Sequence, residues 1–306
     1  MVKFVRTNFD FEEQLLVEKK HYQLPFSQKN LNYEFEYLYF FLNKKQILNT
    51  PIKYPSSYKE YLKSYFNINL VVENSPQTDY GFWWGDLSDF EMSKKLNDKK
   101  FFWEYCMSNN IPYPKTIDVD GNIDLLDDLI IARKRLGFSG IKSRIIKKSD
   151  LKILDNSYLY SNLLKRDYDF GVYFSESGVF VYTNEVDKFG QYKGSHISNN
   201  EEILEKINVT NFFDKMNNLK IKLDLPFQVD GFISDDKIYF NEMNYRQTMG
   251  GIFSFIREKY FPGQKLRLEV LKYSEYLKIG EKSGRRLFLT PKKASIPYRF
   301  GLLLEF

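Results

Sequence analysis

The segment PFQVDGFISDDKIYFNEMNYRQTMGG, residues 226–251, constrains the fold of this chain more than any other stretch. Two runs rich in β-branched and aromatic residues, 227–233 and 237–244, flank the turn formers Ser234, Asp235 and Asp236, which predicts an antiparallel hairpin. Pairing Ile233 with Lys237 sets Asp230 across from Phe240 and Gln228 across from Glu242. Side chains alternate with period two, so Asp230, Glu242 and Asn244 share one face. Two carboxylates and an amide oxygen within reach of one point suit a hard cation such as Mg²⁺, which selects oxygen ligands and keeps waters or shares phosphate oxygens. An ordinary hairpin can carry the same acids on its solvent face. Two carboxylates this close repel one another, and a divalent ion relieves the repulsion. Arg246 keeps the same parity if the strand continues, and a guanidinium there can hold a phosphate or a carboxylate in bidentate fashion. Thr248, Gly250 and Gly251 are placed to offer a hydroxyl and backbone donors at the start of a helix expected over 252–260.

Upstream, DKKFFWEYCMS at 98–108 predicts a helix with Phe101, Phe102, Tyr105 and Cys106 on its apolar side, stopped by Asn109-Asn110 and the prolines of IPYP. LIIARK at 129–134 reads as a strand that runs into LGFSG at 136–140, with a second strand over 141–147. Strand, small-residue loop, strand is not the GxxxxGK[ST] order of a P-loop, although a glycine-supported turn can still present backbone N–H groups to an anion. The first 95 residues read as an α/β unit with strands at 4–6 and 69–73, a helix over 56–65, and Trp83 and Trp84 as an aromatic cluster at its edge. A hairpin at 170–174 and 178–182, a helix over 201–216, and strands within 285–289 and 298–306 complete the pattern.

Charge and cysteine content narrow the function classes. The 45 Lys and Arg exceed the 40 Asp and Glu by a formal +5, a mild bias toward anionic partners. No long basic block, basic–aromatic alternation or finger-like Cys/His spacing is present, so nucleic acid is not an expected partner. The most apolar early run, 35–42, is too short to span a bilayer, and no membrane association is expected. One cysteine, Cys106, cannot form an internal disulfide; with no secretory leader, this favours a cytoplasmic setting. The 28 Phe and 23 Tyr point to a core built largely from rings.

VDGF at 229–232, NEMN at 241–244 and the following YRQTMG, preceded by NDKKFF and by IARKRLGFSG, resemble the ATP-grasp superfamily, and within it the carboxylate–amine ligases. These signals fall in the family's order across roughly 150 residues. The resemblance implies a multidomain α/β (α+β) fold in which nucleotide binds between two antiparallel-sheet subdomains. It divides the chain into an N-terminal α/β domain at 1–95, a central subdomain with the phosphate loop at 96–165, and a C-terminal subdomain with the metal site at 166–306. It implies ATP and Mg²⁺ as cofactors, with Asp230, Glu242 and Asn244 on the metal and Arg246 on the transferred phosphate or acyl phosphate. Lys99 and Lys134 go to the ATP phosphates and Ser139-Gly140 to the covering loop, with Arg133 in place of Lys134 if the register is off by one. Where the family carries an acid in the linking segment, this chain offers Ser161 or Asn162, which leaves Asp169, with Asp167 behind it, as the candidate for the ribose hydroxyls. Ile141 and Lys142 also depart from the family's glycine-rich loop. His196 reads as structural or as a substrate contact, and Cys106 as a small buried residue.

The implied reaction is ATP-dependent activation of a substrate carboxylate as an acyl phosphate for capture by an amine, with an amino acid or peptide as substrate and a homodimer as the family-level assembly. Transfer of phosphate to a hydroxyl on the same architecture, a noncatalytic nucleotide-binding or scaffold protein, and an unrelated α/β binding module are the competing readings.

Overall fold

A computed structural model describes residues 4–17, 32–42, 46–137, 143–176, 178–186, 192–197, 200–220, 223, 226–279 and 285–306. The chain opens on a four-stranded parallel sheet of β1 (Phe4–Arg6), β2 (Ile47–Asn49), β3 (Val72–Glu73) and β4 (Gly81–Phe82), in the order β3-β2-β1-β4. The strand expected over 69–73 contracts to its last two residues. Helices α1 (Phe11–Leu16) and α2 (Ser56–Phe66) follow β1 and β2. The apolar run becomes a 3₁₀ helix, Glu36–Leu42, in which every residue is buried. Its rings join those of α2 and Trp83-Trp84 in the largest core of the molecule, where the indoles meet edge to face at 5.7 Å.

Two helices, α3 (Phe90–Asn97) and α4 (Lys99–Ser108), meet at Asp98, whose carboxylate caps α4 by accepting from the Lys100 N–H at 2.9 Å. Aspartate is favoured at this position because it satisfies one of the free N–H groups of the first turn. A second sheet, antiparallel, contains β5 (Thr116–Ile117), β6 (Leu129–Lys134), β7 (Arg144–Lys147) and β8 (Tyr158–Asn162), in the order β5-β8-β6-β7. Alternation along β6 gives the sheet two characters. Ile130 and Ala132 pack with Tyr160 into a small core, while Ile131 and Arg133 turn to the other side.

The third sheet has eight strands in the order β13-β12-β9-β10-β11-β14-β16-β15: β9 (Tyr168–Ser175), β10 (Gly178–Val186), β11 (Tyr192–Ile197), β12 (Phe227–Ser234), β13 (Lys237–Asn244), β14 (Leu266–Lys272), β15 (Arg286–Phe288) and β16 (Phe300–Glu305). One face is apolar, and Phe170, Phe174, Phe227 and Phe240 pack there against α5 (Glu201–Val209) and α6 (Phe212–Lys220). These two helices replace the single one expected over 201–216, because Asn211 takes a left-handed conformation (φ 53°) that ends the first. The polar face is covered at one end by α7 (Met249–Tyr260), whose Ile252, Phe253 and Ile256 belong to the same core as the N-terminal rings and β16. Among the described residues no helix is long and apolar enough to cross a membrane.

Candidate functional site

The predicted hairpin forms from β12 and β13, with a register that differs from the expected one by two successive one-residue shifts. The turn is Asp235-Asp236 alone, both at positive φ (48° and 64°), so Ser234 rather than Ile233 pairs with Lys237. Two adjacent residues with φ > 0 match the right-handed twist of a hairpin, and aspartate tolerates that region better than most. The second shift is a β-bulge: Gly231 pairs with Phe240 and Asp230 with Glu242, leaving Asn241 as the extra residue. With the same turn and no bulge, Asn241 would lie opposite Asp230 and Glu242 would sit on the reverse face. The bulge therefore puts Asp230, Glu242, Gln228 and Asn244 together on the polar face while Phe240 stays in the core.

Contacts from outside the hairpin hold the bulge. Asn241 O accepts from Tyr113 Oη at 2.8 Å and from Arg133 Nη1 at 3.1 Å, and Arg133 also bonds the Asn241 side chain. The neighbouring Phe240 N–H donates to Pro112 O at 2.9 Å. The second sheet and the segment before it thus set the geometry of a site on the third.

Within the site, Asp230 accepts from Gln228 Nε2 at 2.5 Å and from Asn244 Nδ2 at 2.8 Å. Glu242 Oε2 lies 2.9 Å from Lys99 Nζ, which also donates to Gly137 O at 2.9 Å. Burial first, and then the charge of Glu242, push the Asp230 carboxyl well above the usual carboxylate range. Burial acts on Glu242 in the same direction, but the Lys99 ammonium, with Arg133 and Arg246 behind it, outweighs burial and holds that carboxyl below its ordinary value. One of the facing acids is therefore stabilised as an anion and the other is not. Among the described residues no group of three or more His, Cys, Asp or Glu side chains is arranged to hold a metal ion; the acids here are two facing carboxylates, with the Asn244 amide beside them.

Arg246 stands beside this group with three of its nitrogens engaged. Nε bonds Glu12 of α1, Nη1 donates to Gln247 O at 2.9 Å, and Nη2 donates to Asn244 Oδ1 at 3.1 Å. No motif or spacing points to Glu12, which comes from the far end of the chain and is almost fully buried. Thr248 caps α7 by accepting from the Gly251 N–H at 3.0 Å, and the helix begins at Met249, three residues before the expected start. The two glycines allow close packing: a Cβ on Gly250 would lie 2.1 Å from the Tyr182 ring, and one on Gly251 2.3 Å from Tyr173.

Between the second and third sheets is a narrow, partly open cleft of about 20 Å³, room for about one water molecule. Pro114, Ile131, Leu163, Leu164 and Phe232 give it apolar walls, and Arg133, Ser161, Asn162, Arg166 and Asn241 line the rest. Arg133 is 4% exposed, and among the described residues its Nε has no hydrogen-bond partner. Lys134 is not brought to this group. Strand alternation turns it to the other side of β6, where its ammonium stands 6.0 Å from the Tyr158 ring centroid, and Arg133 takes the inward position. Asp169 shares the polar face with Asp230 and accepts from Arg166 Nη1 at 2.6 Å; burial pushes its carboxyl up. Asp167 instead receives the Asp235 N–H at 3.0 Å and braces the hairpin turn. Ser161 and Asn162 bond within their own sheet, to Thr116 and Asp127. His196 pairs with Thr183 on the opposite face and lies 2.6 Å from Glu185, away from the site. Cys106 is fully buried, and burial pushes its thiol far up. Ser139 and Gly140 lie outside the described residues.

No protein-family model matches the chain, and no curated protein matches its sequence. Solved structures do resemble it. An N5-carboxyaminoimidazole synthetase from Staphylococcus aureus complexed with ADP is 13% identical with a TM-score of 0.53, covering 74% of this chain and 70% of that one. The N5-carboxyaminoimidazole ribonucleotide synthetase from Thermus thermophilus is 13% identical with a TM-score of 0.54, over 85% of this chain and 76% of that one. A biotin carboxylase–β,γ-ATP complex from Campylobacter jejuni is 11% identical with a TM-score of 0.53, over 74% and 65% respectively. With two antiparallel sheets facing across a cleft, a parallel α/β unit before them, and these likenesses, the chain has the ATP-grasp fold.

Proposed function

We propose that this chain is an ATP-dependent ligase that activates a substrate carboxylate as an acyl phosphate and passes it to an amine, with an amino acid or peptide as the substrate class. The observation that carries the reading is the bulge-set pairing of Asp230 with Glu242 beside Asn244 and Lys99, next to a cleft that holds Arg133 with an unpartnered nitrogen. A half-buried pair of facing carboxylates, one of them pushed toward its protonated form, is the chemistry that a divalent cation would neutralise. Asp230 and Glu242 fit Mg²⁺ as carboxylate oxygen donors, and Asn244, whose Nδ2 faces Asp230 and whose Oδ1 accepts from Arg246, would join them with its amide turned over. The ion would supply charge neutralisation for phosphoryl transfer.

The chain's own residues divide the remaining work. Ile131, Leu163 and Phe232, apolar walls that lie beside rather than over the acidic pair, are assigned to the nucleobase, which the narrow cleft would admit by widening. Arg133 and Lys99 are assigned to the phosphates, Arg246 to the transferred group, and Asp169 with Arg166 to the ribose. Phosphoryl transfer depends mainly on positioning and electrostatic stabilisation, and Glu12, Gln247 O and Asn244 fix the Arg246 guanidinium for that role. The functional division follows 1–95, 96–165 and 166–306, with the acyl phosphate formed where the three units meet.

The test is calorimetric binding of a nonhydrolysable ATP analogue, with and without Mg²⁺, to the wild type and to Glu242→Ala/Asn244→Ala. Mg²⁺-dependent binding that is lost in the folded double variant supports the assignment. Equal binding by both proteins, or none by the wild type, removes it. A noncatalytic nucleotide-binding protein is the second reading, favoured by the neutral Ser161 and Asn162 whose side chains are committed within their own sheet. Phosphate release from ATP with a panel of carboxylates and amines separates the two.

A further inference from the structure

Resting on that reading, we infer that Lys99 is the resident cation of the ligand-free site, and that divalent metal and nucleotide bind cooperatively because nucleotide phosphates draw this lysine away from Glu242. Lys99 is 8% exposed, and its ammonium has two acceptors: Glu242 Oε2 at 2.9 Å and Gly137 O at 2.9 Å. It therefore neutralises one of the two facing acids where a metal would otherwise do so. Its backbone is fixed. The Lys99 N–H bonds Arg135 O at 3.1 Å, and Asp98 both caps α4 and pairs with Arg135. Only rotation of the side chain can move the charge.

Two competing costs follow. A metal arriving alone must separate Glu242 from Lys99 and leave a nearly buried ammonium without its anion, which is unfavourable. When phosphate is present the ammonium has a replacement anion, and Glu242 becomes free for the metal. The nucleotide thus raises metal affinity, and by linkage the metal raises nucleotide affinity by the same factor. Metal held without nucleotide would expose a charged, partly desolvated centre to any small anion; this coupling confines loading to the moment the nucleotide is present.

The probe is Mn²⁺, titrated alone and with a nonhydrolysable ATP analogue, with free Mn²⁺ read by electron paramagnetic resonance and the protein-free Mn²⁺–analogue titration subtracted. The proteins are the full-length wild type, Lys99→Met, Lys99→Gln and Glu242→Ala. Gln keeps a hydrogen-bond donor without the charge, so it preserves the test if Met at this nearly buried site destabilises the fold; thermal melts check each variant. In the wild type the analogue tightens Mn²⁺ binding by about five- to 150-fold, the span typical of linked sites. In both Lys99 variants Mn²⁺ alone binds at least about fivefold tighter than in wild type, and the analogue's enhancement falls by about the same factor, leaving the part that comes from its own phosphate oxygens. Lys99 variants that bind Mn²⁺ no tighter than wild type, or that keep the full enhancement, overturn the inference; if Glu242→Ala still abolishes Mn²⁺ binding, the metal site itself stands. Mn²⁺ binding that ignores Glu242→Ala, or that no form shows, overturns the metal site together with the role of Lys99.

Discussion

Glu36 is a carboxyl in the interior of the N-terminal unit with no cationic partner among the described residues, and replacing it by Gln gives a stability change whose pH dependence follows from the structure. It is 2% exposed, and its Oε1 accepts hydrogen bonds from both Thr50 Oγ1 and Tyr54 Oη, the latter at 2.8 Å. Burial pushes this carboxyl from 4.5 up to about 8, against the two hydrogen bonds that favour its anion. The native state therefore binds a proton more tightly than the unfolded chain. With a raised folded pKa, the stabilising contribution is fully present below about 4.5 and is lost as pH rises toward about 8. Each pH unit in that window costs about 1.4 kcal/mol, so between about pH 5 and pH 8 the loss is roughly 3–4 kcal/mol. Glutamine keeps an oxygen at Oε1 to accept both bonds and carries no titrating proton, so Glu36→Gln retains the contacts and removes the slope. Urea unfolding of both proteins across this range, with stability plotted as variant minus wild type, cancels every other titrating group. The difference should rise with pH in favour of Glu36→Gln. A difference that stays flat within about 1 kcal/mol would show that Glu36 ionises normally in the folded protein and that its burial is not felt as desolvation.

Gly250→Ala forces a Cβ to within 2.1 Å of the buried Tyr182 ring; the expected loss is about 1–3 kcal/mol, read as a lower denaturation midpoint, and an unchanged midpoint would refute the close-packing account. Arg133→Met should weaken binding of a nonhydrolysable ATP analogue by about tenfold or more, equivalent to ~1.4 kcal/mol, while Lys134→Met leaves it nearly unchanged. The reverse order of effects would return the phosphate role to Lys134 and would mean that the inward side of β6 is not the nucleotide side.

Part of the site was legible because strand geometry has a simple period. Alternation counted from the expected turn put Asp230, Glu242 and Asn244 on one face; the actual turn is one residue shorter, which would move Glu242 to the reverse face, and the bulge restores the grouping, while the Asp98–Lys99 start of α4 is a local matter of capping. The bulge also left a trace: Ile238 and Phe240 are core residues on even positions and Met243 on an odd one, a phase slip between two apolar stretches of one strand. Alternation could not choose between Arg133 and Lys134, because which side of β6 faces the cleft depends on a second sheet.

Local elements, the hairpin, and the sequence positions of the acidic and basic residues are all written in the amino-acid order, since propensity, capping and periodicity act over a few residues. Long-range packing settled the rest. Arg133 and Tyr113 grip Asn241 from outside the hairpin and pin the bulge that sets Asp230 against Glu242. Glu12, 234 positions away along the chain, engages Arg246. Lys99 meets Glu242 only because α4 packs beside β13. Interactions over such separations carry no period and no fixed spacing; the folded chain alone brings them within hydrogen-bonding distance.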